Sequence, residues 1–176
     1  MKTVNGKVSE KALYEPIREY LAQAFQEKFG NCHLETTANG VFSGELKRVV
    51  RHDIIFSFLG KKASPDLTGF IHRAGSDWIV VRSPSDIQDL ITVEIKPEKI
   101  TIQDIYQAKM YGDLFQAKYA LLVSPDEIPE EIRRLDKQIM VTYRYMGGSL
   151  LYIGRWVSSV YGLEINAVEG WLPRSP

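Results

Sequence analysis

The sequence predicts an α/β domain with a mixed central β-sheet flanked by helices on both faces. Three observations carry that prediction. Residues 119–123, Tyr-Ala-Leu-Leu-Val, form a short unbroken apolar run, as expected of a strand buried on both faces. Residues 90–95 form a second apolar strand, which Pro97 closes. Between them, Thr101 and Asp104 have the spacing of a capping box that opens a helix running to about Gln116. Residues 90–123 are therefore one β-α-β unit, expected to cross over right-handed. A chain of 176 residues is one domain by size, spanning residues 1–176.

The remaining elements follow in order. Ser9 is a good N-cap for a first helix, whose apolar residues Leu13, Ile17, Leu21, Ala24 and Phe25 recur at helical spacing up to Gly30. At about 100° per residue, Glu10 falls inside that apolar stripe, whereas Glu15 and Glu19 fall on the opposite side. Residues 31–58 read as strands joined by turns, with Asn39-Gly40 as a hairpin signal. Val49-Val50 and Ile54-Ile55-Phe56 supply the β-formers. Residues 60–64 read as a loop, 67–72 as a strand, 78–81 as another and 83–89 as a polar connection. Pro129 suits the first turn of a short helix within residues 125–138. Residues 139–145 and 150–157 read as late strands joined at Gly147-Gly148.

Composition narrows the function classes. No apolar run is long enough to cross a bilayer, and the first residues lack the apolar core of a signal peptide, so a cytoplasmic protein is expected. Cys32 is the single cysteine, which excludes an intrachain disulfide and reads as a small buried hydrophobe. His33, His52 and His72 are scattered and form no local metal motif. Formal net charge is zero, which argues against tight non-specific nucleic-acid binding but not against a local basic patch. Lys47, Arg48, Arg51 and His52 are one such patch, with Lys61 and Lys62 close behind; Arg133, Arg134 and Lys137 are another. A solvated face is the competing reading of each. No Gly-x-x-x-x-Gly-Lys-Ser/Thr run is present, and no Gly-rich phosphate loop, which ranks nucleotide-driven chemistry and small phosphoester hydrolysis last.

The candidate chemistry lies between Ser64 and Tyr111. Side chains two apart on a strand share a face, so Glu94 and Lys96 project together while Val93 and Ile95 project oppositely. Both lie at the carboxyl end of their strand, the edge where open α/β sheets bind ligands. Asp66, at the start of the strand at 67–72, can approach from beside them. Asp66 and Glu94 supply the hard oxygen ligands that suit Mg²⁺ (or Mn²⁺). Such an ion polarises a phosphoryl oxygen and acidifies a bound water, and Lys96 is suited to orient that water or to stabilise developing charge. Gln107 and Tyr111, one turn apart on the following helix, share a face suited to hydrogen-bonding a phosphate or base. Asp53 and Asp77 remain alternative partners for Glu94, because a hairpin expected around Gly75-Ser76-Asp77 can shift Asp66.

Pro65-Asp66, then Glu94-x-Lys96, then a helix carrying Gln107-x-x-x-Tyr111, resembles the PD-(D/E)xK nuclease superfamily, in particular its RecB-like branch. The resemblance spans Glu10 to Val123. It implies a restriction-endonuclease-like core across a single nuclease-like domain. It also implies a metal held by Asp66, Glu94 and the helix-one acid Glu10, catalysis by these acids with Lys96, and substrate contact by Gln107 and Tyr111. The expected activity is Mg²⁺-dependent hydrolysis of phosphodiester bonds in DNA. The alternative is a catalytically inactive module of the same fold, for nucleic-acid binding or protein assembly, motivated by Tyr143, Tyr145, Tyr152, Trp156, Tyr161 and Trp171. A homodimer or larger complex would reconcile neutrality with a nucleic-acid substrate by adding a partner's basic surface.

Overall fold

The computed structural model describes residues 8–59, 63–73, 83–144, 149–158 and 165–169. The strand expected at 78–81, the hairpin at 75–77, Asp77, Lys61, Lys62 and the Gly147-Gly148 connection lie outside the described residues.

Helix α1 (Glu10–Phe29) opens the fold and runs into β1 (Cys32–Thr36). A short helix α2 (Gly44–Val49) and a 3₁₀ turn (Asp53–Ser57) lead to β2 (Leu67–His72). A second 3₁₀ turn (Pro84–Asp86) leads into β3 (Ile87–Ile95), α3 (Ile102–Leu114) and β4 (Tyr119–Ser124). Helix α4 (Glu130–Ile139), the two-residue β5 (Tyr143–Arg144), β6 (Ser149–Ser158) and β7 (Ile165–Glu169) complete it. The strands lie in the order β1-β2-β3-β4-β6-β5, and β7 also pairs with β6. Pairing is antiparallel except for β3-β4 and β4-β6, which are parallel. The mixed sheet and the β-α-β unit are thus as the sequence predicts.

Alternation along β2 to β4 divides the core between the two faces. Leu67, Ile71, Ile91, Val93, Ile95, Leu121 and Val123 pack against Leu13, Ile17, Leu21 and Phe25 of α1. On the opposite face Phe70 and Leu90 meet Tyr111 and Phe115, while Ala120 and Leu122 meet Ile105 and Ala108 of α3. Cys32 is half-buried against the α1 cluster, and burial pushes its thiol up to about 12, in keeping with the inert reading.

The segment at 31–58 corrects the sequence reading. Only β1 is a strand there. Asn39-Gly40 forms a turn, with Gly40 at φ +74°, that does not join two strands. Ser43 Oγ accepts the Leu46 amide and starts α2, and Phe42, Leu46, Val49 and Val50 are buried against Phe115 and its neighbours. Tertiary packing therefore overrides the β-propensity of Val49-Val50 and Ile54-Ile55-Phe56. Two smaller corrections concern the ends of elements. β3 begins at Ile87 rather than Leu90, and Ile139 belongs to α4, so the strand expected at 139–145 shrinks to Tyr143–Arg144. Of the late aromatics, Trp156 is buried and Tyr152 packs on the α1 cluster, while Tyr145, Tyr161 and Trp171 lie outside the described residues.

Candidate functional site

Asp66 and Glu94 come together because β2 and β3 are antiparallel. Their ladder pairs Leu67 with Val93 and Thr68 with Thr92. One further step sets Asp66 opposite Glu94, and opposed residues of antiparallel strands share a face. The Asp66 backbone is pegged from β1: Thr37 and Ala38 donate their amides to its carbonyl at 2.8 and 3.2 Å, and Thr37 Oγ1 donates to the Pro65 carbonyl at 2.8 Å. Its carboxylate Oδ2 accepts the Ile95 amide at 2.7 Å. Asp66 and Glu94 are 5% and 3% exposed.

Lys96 projects on the same side, and its Nζ donates to Glu94 Oε1 at 2.9 Å. The Lys96 backbone is fixed twice: its amide donates to the Val123 carbonyl at 2.8 Å, and its carbonyl accepts Trp156 Nε1 at 3.3 Å. Glu94 Oε2 is buried without a hydrogen-bond partner. A buried anionic oxygen left bare is costly, and it is the kind of group that an ion or an ordered water satisfies.

Electrostatics draws three further residues in. Burial first, then the nearby Asp66, raises the Glu94 pKa to about 8 against the pull of Lys96. Burial also raises Asp66, to about 6; the Ile95 amide opposes this and Glu10 adds to it. One ammonium thus stands among more acids than it can neutralise, so the cluster favours an added cation. Burial works against the charged Lys96, but Glu94 and Asp104 outweigh it and hold the ammonium above the ordinary lysine range. Tyr14 donates its hydroxyl to Glu10 Oε1 at 2.7 Å and also lies against Asp66. Burial and these two acids raise its pKa steeply.

The expected site residues therefore converge. Glu10 is half-buried at the start of α1 and acts on both Asp66 and Glu94. Gln107 Nε2 donates to the Tyr111 hydroxyl at 3.4 Å. Tyr111 is buried rather than presented outward, and its pKa is raised by burial first and then by Glu94 and Asp66, against the Gln107 bond. Asp53 is exposed on the 3₁₀ turn. Among the described residues, no three Asp, Glu, His or Cys side chains are grouped as a ready-made ion cage. The protein oxygens on offer are two carboxylates, a number that suits Mg²⁺, which keeps several of its waters.

Three residues of this neighbourhood have a place here that the sequence reading does not give them. Tyr14 stands four residues after Glu10, the same spacing that singled out Gln107 and Tyr111. Asp104 was legible as a helix cap, but its second oxygen also lies 3.3 Å from Lys96 Nζ. Trp156 had no local signal, because β6 reaches Lys96 only through the sheet. A cavity of about 250 Å³ lined by Val50, Arg51, His52, Asp89 and Leu90, among others, contains none of Glu10, Asp66, Glu94 and Asp104. Arg51 and His52 of that lining belong to the first basic patch. Lys47, Arg48 and Arg51 are exposed there and make no ion pair among the described residues. Arg133 of the second patch is instead engaged by Glu127 at 3.4 Å. No helix among the described residues is long and apolar enough to cross a membrane. Comparison with protein-family models, with curated proteins and with solved structures finds no match to this chain.

Proposed function

We propose that this chain is a Mg²⁺- or Mn²⁺-dependent nuclease that hydrolyses phosphodiester bonds in DNA, on a restriction-endonuclease-like core. The reading is carried by one observation: two buried acids from adjacent strands, Asp66 and Glu94, meet beside Lys96, and Glu94 keeps one buried oxygen without a partner. Asp66 and Glu94 would hold the ion, with Glu10 raising the negative potential from α1. When bound, the ion supplies Lewis acidity toward a phosphoryl oxygen and lowers the pKa of water. Lys96 then serves as a cationic donor toward the attacking water or the developing negative charge. Gln107, half-buried beside the Tyr111 hydroxyl, is free to exchange its long 3.4 Å bond for one to substrate. The exposed basic side chains of Lys47, Arg48 and Arg51, which form no ion pair among the described residues, would supply phosphate contacts that zero net charge alone would not suggest.

The test is purified protein with single- and double-stranded DNA in Mg²⁺ or Mn²⁺. Asp66→Ala and Glu94→Ala should abolish cutting, and Lys96→Ala should slow it by about 10²–10⁴-fold, with circular dichroism unchanged. Absence of cutting on every substrate, together with no metal uptake in a calorimeter, removes the reading.

A second reading, an inactive scaffold used for assembly, is favoured by α3. Ile102, Tyr106, Met110 and Leu114 recur every four residues along it and are all exposed. A dimer by gel filtration that persists when the acids are removed would support it.

A further inference from the structure

Lys96 is held by two acids of different standing. Its Nζ donates to Glu94 Oε1 at 2.9 Å and lies 3.3 Å from Asp104 Oδ1. The three side chains are largely withdrawn from water, at 18%, 4% and 17% exposure. Glu94 sits on β3 with its second oxygen bare. Asp104 belongs to the first turn of α3, and its Oδ2 accepts both the Thr101 amide at 2.7 Å and the Thr101 hydroxyl at 2.6 Å. The helix cap therefore fixes Asp104 and turns its other oxygen to the ammonium.

We propose that Lys96 is a resident cation that competes with the divalent ion for Glu94, and that Asp104 is the positioning residue that receives the ammonium when the ion takes over. The proposal rests on the metal-dependent reading above and describes how that same site exchanges one positive charge for another. A buried carboxylate stripped of its counter-ion is strongly unfavourable, so Glu94 without metal needs Lys96. An ammonium and a divalent ion on one carboxylate repel each other. Lys96 can yield Glu94 without being stranded, because a second anion already touches it. Only side-chain torsions need change, since its backbone is pinned by Val123 and Trp156.

Titration calorimetry with Mn²⁺ on the full chain tests this, using wild type, Lys96→Met, Lys96→Gln, Asp104→Asn and the Lys96→Met/Asp104→Asn pair. Removing the ammonium should tighten Mn²⁺ binding by about tenfold, and Asp104→Asn should weaken it several-fold. In the Lys96→Met background the Asp104→Asn penalty should largely disappear, a non-additivity that a purely helix-capping role would not produce. Unchanged or weaker Mn²⁺ binding in both Lys96 variants overturns the proposal, as do equal Asp104→Asn penalties in the two backgrounds. If wild type binds Mn²⁺ and the Lys96 variants match it, this inference alone fails. If none of the proteins binds Mn²⁺, the nuclease reading fails with it.

Discussion

Asp66 and Glu94 are withdrawn from water by the strands that carry them, and burial makes each harder to ionise. Both folded pKa values lie above the ordinary carboxylate range, near 6 and 8. A group raised on folding adds stability below its unfolded pKa and loses that contribution as pH rises through the folded value. The metal-free protein should therefore lose stability between about pH 4 and pH 8. Glu94→Gln, which cannot ionise, should gain stability relative to wild type as pH rises from 4 to 8. Urea melts at the two pH values check this; an advantage that grows toward acid pH would contradict it. At this scale the sequence was informative wherever the period of a strand decides direction. Glu94 and Lys96 had to share a face, and Pro97 had to stop the strand near them. Tyr14 was hidden because a tyrosine on an amphipathic helix is ordinarily core, and only the folded position of Asp66 gives its hydroxyl a second acid.

Among the elements, α2 is the one that local propensity misjudged. Val49 and Val50 favour strand, yet Phe42, Leu46 and Val49 recur at helical spacing, and the packing around Phe115 rewards that pattern. The outcome turns Lys47 and Arg48 outward together and sets Lys47 5.9 Å from the centre of the Phe56 ring, where the proposed nuclease would meet phosphates. Reversing three charges, with Lys47→Glu, Arg48→Glu and Arg51→Glu, should weaken DNA binding measured in EDTA. It should also lower the slope of log affinity against log salt by about 0.9 for each phosphate no longer neutralised. An unchanged slope would show that α2 faces away from the nucleic acid. By contrast, α3 was legible to its first residue. The Thr101–Asp104 box forms as expected, although its bond to Lys96 lies beyond any local pattern.

For the molecule as a whole, charge is balanced overall but unbalanced where β2 begins and β3 ends. A ligand that binds only the folded state stabilises it, by about 2.7 kcal/mol at a hundred times its dissociation constant. For a chain of this size that corresponds to a rise in Tm of roughly 5–10 °C. Mg²⁺ or Mn²⁺ should produce such a rise at pH 8 and a smaller one at pH 5, where protons compete for the same carboxylates. Equal shifts at both pH values, or equal shifts in Glu94→Ala, would place the ion elsewhere. The order of strands was less legible than their existence. Pairing of β6 beside β4, and of β7 beside β6, depends on contacts between distant segments that no window of sequence contains.

The carbonyl of Asp66 is gripped by the residues that leave β1, the outermost strand, whereas Glu94 rides on β3, deep in the sheet. Asp66 is thus held from two directions, its carbonyl by the chain leaving the edge strand and its carboxylate by the Ile95 amide of β3, so rim and interior together fix the acid that faces Glu94.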